Sequence, residues 1–348
     1  MSTPRGTSLL ATTLPATTLP AITLRLTAAC AIVTATGPDR GPLATWDALG
    51  IAHGTDLVLE QAVGGWTVAW TGPTSARDRP GADRTLDLGG RLLVPGLCDS
   101  HTHAVFAGDR SGEFVQRMAG RSYADLAAAG GGIAHTVRQT RAASLPELVD
   151  TAAKRLADMA RWGVRVVEVK TGYGLDLATE VRLVQAIDAL RLDFAGVLVG
   201  TAMPAHAVPP EFRSDPDGYV DLVCREILPA MAACGQRGDG AAGDGVAFVD
   251  LFVERGYFDI AQASRIAATA RALGLGLKAH VDEFADIGGL GWAIDQGAVS
   301  VEHLLATSPE SIARLAASDT VAVCLPLTSL FLREPYAPMR ALVDQGAR

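Results

Sequence analysis

The hydrophobic and polar positions along the chain follow two rhythms. Between Ile22 and Leu88, short β-branched runs such as Ala31-Ile32-Val33-Thr34 and Trp66-Thr67-Val68-Ala69-Trp70-Thr71 are separated by Gly, Pro and Asp turns. That is the pattern of a small β domain. From Leu92 onward a hydrophobic strand pattern alternates with a helical one, which predicts parallel βαβ units. Strands are expected near residues 92–99, 164–170, 195–201, 246–253, 275–280, 298–302 and 320–325, with helices over 144–162, 176–192, 217–234, 259–273, 286–296 and 308–317. Ser144 ahead of Pro146 and Glu147, and Ser308 ahead of Pro309 and Glu310, supply two helix starts. Seven such strands predict a TIM-like (β/α)8 barrel with one repeat absent from this chain. The expected domains are a small N-terminal β-sandwich over 22–90 and the barrel over 91–348. In such barrels the chemistry sits at the C-terminal ends of the strands.

Three stretches fall outside this rhythm. Residues 1–21 carry Ala11-Thr12-Thr13-Leu14-Pro15 repeated as Ala16-Thr17-Thr18-Leu19-Pro20, a biased composition expected to form a disordered tail and a poor secretory signal. Gly130-Gly131-Gly132, in the long connection after the first barrel strand, lacks the Gly-Lys-Ser/Thr ending of a phosphate loop and is expected to be a mobile active-site loop. The Gly/Asp-rich stretch from Gly235 to Gly245 is expected to be a surface insertion.

Composition narrows the function. The chain of 348 residues is 49% hydrophobic and 20% charged, and 30 basic against 38 acidic side chains leave a net charge of −8 with no basic block. Nothing in that balance points to nucleic acid or an anionic membrane, and a small diffusible partner is expected. No apolar run approaches the ~20 residues of a transmembrane helix. The five cysteines are scattered and contain no Cys-x-x-Cys, so they read as reduced thiols of a cytoplasmic protein.

The chemistry concentrates in the histidines. Of seven, five fall at or just after proposed strand ends: His101 and His103 after the first, His206 after the third, His280 at the fifth and His303 after the sixth. Residues two apart on a strand share a face, so His101 and His103 make a ready pair of metal ligands. Convergence of all five on one mouth of a barrel predicts a shared site, with His53 and His135 left as surface or loop residues. Arg110 is a candidate for pairing with a carboxylate, its alternative being an ion pair with Asp109 or Glu113. Tyr173, between Gly172 and Gly174, could present a phenol donor.

Several motifs carry a resemblance. Pro95-Gly96-Leu97-Cys98-Asp99-Ser100-His101-Thr102-His103 resembles the first barrel strand of the amidohydrolase superfamily, and Asp83 to Arg91 resembles its domain junction. His101 through Arg110, Gly130-Gly131-Gly132-Ile133, Glu168-Val169-Lys170-Thr171-Gly172-Tyr173-Gly174 and Ala205-His206-Ala207-Val208-Pro209 resemble the imidazolonepropionases, the ring-opening hydrolases of histidine breakdown. The likeness runs from about Leu92 to the last residue.

The resemblance implies hydrolysis of the C–N bond of 4-imidazolone-5-propanoate to N-formimidoyl-L-glutamate. It makes His101, His103 and His280 ligands of one Zn or Fe ion. Glu283 becomes the carboxylate that moves the proton and His303 an electrostatic partner of the transition state. Arg110, Tyr173, His206 and Glu283 line the substrate site, with Tyr123 a weaker candidate. Lys170 lies on the second strand, whereas the superfamily's metal-bridging lysine lies on the fourth, so one metal is expected. Glu302 is expected to point away from His303, either orienting a histidine or forming a salt bridge.

The family's eighth-strand A-T-D-x-N-P-G segment, with a metal-ligand Asp, has no counterpart before Arg348. Seven strands with a gap between seventh and first, poor solubility and little activity are therefore expected. Another deaminase or cyclic-amide hydrolase of the superfamily, or an inactive metal-binding chain, are the alternatives. A homodimer is left open.

Overall fold

The computed structural model describes residues 22–35, 40–41, 46–62, 65–121, 125, 130–234 and 245–348. The tail 1–21, Tyr123 and residues 235–244 of the insertion lie outside them. The chain divides into two compact units that part between Pro95 and Gly96.

The first unit is built of short strands: β1 (Thr23–Thr27), β2 (Ala31–Val33), β3 (Ile51–Ala52), β4 (Thr55–Ala62), β5 (Gly65–Pro73), β6 (Arg84–Asp87) and β7 (Leu92–Leu93). They form a four-stranded sheet in the order β5-β4-β1-β6 and a three-stranded sheet in the order β3-β2-β7. One sequence expectation changes here. The apolar run read as a single strand over 92–99 is divided, because Leu92 and Leu93 pair with Ala31 and Ile32 of the small unit. Pro95 has no N–H to give to a ladder, and the first barrel strand starts only beyond it.

Among its described residues the second unit holds seven parallel strands: β8 (Leu97–Thr102), β9 (Val164–Lys170), β10 (Val197–Ala205), β11 (Phe248–Val253), β12 (Gly276–Val281), β13 (Ser300–His303) and β14 (Val321–Val323). Each pairs with its neighbours in chain order, and β8 and β14 are the two edges. The helices are α1 (Ser111–Met118), α2 (Gly132–Ala142), α3 (Leu145–Arg161), α4 (Leu177–Arg191), α5 (Pro216–Leu222), α6 (Leu228–Cys234), α7 (Ile260–Ala272), α8 (Gly289–Asp295), α9 (Pro309–Ala316), α10 (Pro326–Leu332) and α11 (Met339–Asp344). The single helix expected over 217–234 is interrupted by a π turn at Val223–Ile227. Gly130 to Gly132, expected to be a mobile loop, leads into α2: Gly132 is its first residue, and its N–H donates to Glu113 Oε1 at 3.0 Å. No described helix is long and apolar enough to cross a membrane.

Strand alternation sorts the side chains into two environments. On β9, Val167 and Val169 face outward into a fully buried cluster with Leu148 of α3 and Leu183 and Ile187 of α4. Each such side chain contributes about 1.5–3 kcal/mol by leaving water. Glu168 and Lys170, between and beyond the valines, face the barrel interior. β11 and β12 repeat the arrangement, with Val249, Leu251, Val253, Leu277, Ala279 and Val281 in the outer core and Asp250, Lys278 and His280 inside. The apolar layer holds the wall, and the polar layer is presented to the interior.

α3 supports β9 from outside and begins with a capping box. Ser144 Oγ accepts from Glu147 N–H at 3.4 Å, while Ser144 N–H donates to Glu147 Oε2 at 2.8 Å. Ser144→Ala is expected to cost about 1 kcal/mol, visible as a lowered midpoint in urea unfolding with an unchanged slope. An unmoved midpoint would show that the cap carries no stability.

Candidate active site

Five histidine rings meet at the C-terminal ends of the barrel strands. His101 lies 5.7 Å from His103, 4.6 Å from His280 and 5.3 Å from His303 between ring centroids, and His206 stacks on His103 at 4.7 Å with 11° between planes. The placement of His101 needs more than strand alternation. Ser100 faces a lower cavity of the barrel interior, yet His101 next to it also faces inward, against Glu302. A bulge between Asp99 and Thr102, where β8 slips against β9, re-aims the side chain.

Ring nitrogens of His101, His103 and His280 lie within 4.8 Å of one another. Each ring has an acceptor behind its Nδ1, hydrogen-bonded for His103 and His280 and in contact only for His101. His103 Nδ1 donates to the Thr171 carbonyl at 2.9 Å, His280 Nδ1 lies 3.1 Å from Asp250 Oδ1, and His101 Nδ1 lies against Glu302 Oε2. Those contacts leave the Nε2 atoms for a shared ligand. Burial, reinforced by neighbouring imidazoles, keeps His101 and His103 well below the ordinary histidine range. Burial also disfavours a charged His280, but the Asp250 carboxylate beside it carries the net shift upward. Two neutral imidazoles, His101 and His103, beside a His280 whose ring is backed by the Asp250 carboxylate, make the kind of donor set that Zn or Fe takes, so these residues fit a metal ion.

The turn after β9 supplies the next wall. Gly172 has φ +100, and a Cβ there would come within 2.8 Å of Met203 O and 3.0 Å of the His206 ring, so only glycine fits. Glu180 is buried beneath the turn, where its carboxylate accepts the N–H groups of Gly172, Gly174 and Leu175 at 3.3, 2.8 and 2.9 Å. Thus fixed, the turn offers the Thr171 carbonyl to His103 and the Gly172 carbonyl to His206 Nδ1 at 3.0 Å. It also sets the Tyr173 ring 5.1 Å from His103 and 5.2 Å from His206. Burial holds the His206 imidazole down to about 3, so it is neutral and can offer one donor and one acceptor.

Glu283 follows β12 on a second anchored turn. Glu254, itself buried, accepts Phe284 N–H at 2.9 Å and Ala285 N–H at 3.1 Å. Burial pushes the Glu283 carboxyl up to about 7, the range in which a carboxylate exchanges a proton near neutral pH. Its Oε1 lies 3.6 Å from His303 Nδ1. His303 has φ +78, and this break in strand geometry lets it and Glu302 both reach the interior. Glu302 therefore does not point away from His303 to the outside of the barrel, yet it makes both of the contacts expected of it, one to a histidine and one salt bridge. It lies within the barrel, bonded to Lys170 at 3.0 Å and against His101. Both His303 ring nitrogens are buried without a hydrogen-bond partner among the described residues.

These groups line one cavity of about 400 Å³. His101, His103, Arg110, Tyr173, His206, His280, Glu283 and His303, all singled out from the sequence, lie on its wall. Arg110 makes no ion pair with either neighbour, since Asp109 accepts from Ser111 and Glu113 from Gly132 N–H. His53 is exposed and His135 is on α2, away from the cluster. Helix α10, unforeseen from the sequence, contributes Leu327, Thr328 and Phe331 to the rim. It is tied to α1 by Arg117 Nε donating to Phe331 O at 3.0 Å and by the Phe114 and Phe331 rings stacked at 5.3 Å. Sequence reasoning also passed over Asp250, Glu180 and Glu254. The lone acid in Phe248-Val249-Asp250-Leu251-Phe252-Val253 was the available signal, because a charge within a buried strand needs a partner.

No protein-family model matches the chain. Its sequence relatives are consistent with one another. It is 46% identical to the imidazolonepropionase of Chloroflexus aggregans over 328 residues, covering 93% of this chain and 75% of that one. It is 48% identical to that of Symbiobacterium thermophilum over 76% of this chain and 60% of the relative. It is 42% identical to that of Pseudomonas syringae pv. tomato over 85% and 73%. The fold is shared with a triazine hydrolase from Arthrobacter aurescens (TM-score 0.59, 14% identity, 93% of this chain and 70% of that one) and with an adenosine deaminase from Xanthomonas campestris (TM-score 0.55, 15% identity, 93% and 66%). By sequence identity across most of its length, the chain belongs to the imidazolonepropionase family, built on the amidohydrolase barrel.

Proposed function

We propose that this chain hydrolyses the ring C–N bond of 4-imidazolone-5-propanoate to give N-formimidoyl-L-glutamate, with one Zn or Fe ion held by His101, His103 and His280. The observation that carries this reading is the convergence of three backed imidazoles, the buried Glu283 carboxyl and an Arg110 free of its neighbouring acids on a single cavity.

Each group has a part in the chemistry. The ion supplies Lewis acidity that makes water a nucleophile near neutral pH. Glu283 takes the proton from the attacking water and returns it to the ring nitrogen as the C–N bond breaks. His303 is neutral, because burial holds its pKa well below the usual range, and donates an N–H to the oxygen on which charge develops. Arg110 pairs with the propanoate carboxylate through its fork of donors. His206 and Tyr173 hold the ring by polar contacts from the cavity wall. Arg110 also favours this acid over an uncharged purine or pyrimidine base, which has no carboxylate to offer it.

Three measurements test the reading. Protein purified with Zn or Fe supplied is expected to carry on the order of one ion per chain, as a site of three imidazoles would. Elemental analysis of the His101→Ala/His103→Ala variant is expected to show that ion lost, and equal metal content in the two proteins would refute the ligand assignment. Glu283→Gln is expected to keep the metal while kcat falls by roughly 10²–10⁴, and a retained kcat would remove Glu283 from the proton path. Arg110→Met is expected to lower kcat/KM by roughly 10- to 150-fold, the worth of about 1.5–3 kcal/mol for a charged hydrogen-bonded pair. Unchanged KM and kcat would exclude Arg110 as the carboxylate anchor.

A further inference from the structure

Below the histidines, the barrel interior is filled by charge. Lys170 is fully buried, and its Nζ donates to Asp250 Oδ2 at 2.7 Å, Glu168 Oε1 at 2.8 Å and Glu302 Oε1 at 3.0 Å. Lys278 Nζ bonds Glu168 Oε2 and lies 3.4 Å from Glu302 Oε1. Two ammonium groups thus face three carboxylates, leaving the cluster one positive charge short. Two of the three acids present their other oxygen upward to a ring, Asp250 to His280 and Glu302 to His101. Glu168 touches no histidine. The three donor bonds of Lys170 also use every proton of its ammonium, which leaves it nothing with which to bridge metals.

We propose that Lys170 is a positioning residue of the metal site: as the shared counter-ion of Asp250 and Glu302, it holds both carboxylates behind His280 and His101 and so sets how tightly the chain binds its ion. The proposal rests on the ligand assignment given above. A carboxylate can turn an imidazole toward a metal only if its own position is fixed, and one ammonium fixes both carboxylates together. Without it, two buried carboxylates repel each other and rotate away from their rings. The charge deficit of the cluster is made up by the cation that His101, His103 and His280 would hold.

The test uses the full chain, stripped with a chelator and titrated with Zn(II) against a chromophoric competitor, with folding followed by circular dichroism. Lys170→Met is expected to weaken Zn(II) binding by roughly 10- to 100-fold, the usual effect of losing a residue that orients metal ligands. Glu168→Gln removes a different partner of the same lysine and is expected to bind Zn(II) as wild type does, even where its melting point falls. Should Lys170→Met not fold, the charge-matched Lys170→Met/Glu168→Gln variant takes its place, and weakened Zn(II) binding is expected there too. Wild-type affinity in the folded Lys170 variant, or an equal loss in Glu168→Gln, would overturn the proposal by making the cluster mere scaffolding. Zn(II) affinity that is the same in wild type and in His101→Ala/His103→Ala would overturn the ligand assignment, and this proposal with it. A loss in that double variant alongside an unimpaired Lys170→Met overturns this proposal alone.

Discussion

The interaction on which the rest of the barrel depends is the burial of Lys170 among Glu168, Asp250 and Glu302. Four strands, β9, β11, β12 and β13, contribute charged side chains to this cluster, so it joins the sheet from within as the hydrogen-bond ladder joins it from outside. Burial alone would disfavour the Lys170 ammonium, yet the three carboxylates more than offset it and hold the group firmly charged. Burial likewise disfavours the Asp250 carboxylate, and His280 and Lys170 together keep it well below the usual range. Such a network is costly to assemble and very costly to break, which makes it a poor source of stability and a good source of fixed geometry.

Above that floor, the site is assembled by the same device used twice. Glu180 gathers the N–H groups of the turn that carries Tyr173, and Glu254 gathers those of the turn after Glu283. Both acids act through backbone, so the turns are held without using the side chains that face the cavity. The arrangement satisfies donors that burial would otherwise leave orphaned. It also explains why the polar walls of the cavity can keep unpartnered groups such as the His303 ring: the constraint is supplied one layer further out.

The electrostatics of the cavity divide its groups by role. Burial lowers His101, His103, His206 and His303 together, so four imidazoles stay neutral side by side. Only His280, beside Asp250, is drawn toward the charged form, and there a metal cation would answer the same field as a proton. Glu283 is pushed up to about 7 by burial, against the opposing pull of His280. Environment alone separates five chemically identical imidazoles into four held neutral and one drawn toward charge.

Much of this was determined by the sequence by itself. The strand expected at 164–170 is Val164–Lys170, and the helices expected at 144–162 and 176–192 are Leu145–Arg161 and Leu177–Arg191, because long hydrophobic periods and N-caps are local signals. The eight candidate side chains were legible as strand-end residues and family motifs, and all of them face one cavity. What only the tertiary structure decided is where alternation fails. Leu92 and Leu93 belong to the small unit because a partner strand, Ala31–Val33, is there to receive them. The bulge at Asp99–Thr102 and the positive φ of His303 turn side chains inward against the pattern of their strands, and both depend on neighbours far away in the chain. The roles of Asp250, Glu302 and Lys170 were hidden for the same reason. A charged residue in a strand pattern announces that it needs a partner, but the identity of that partner is set only when distant strands close around it.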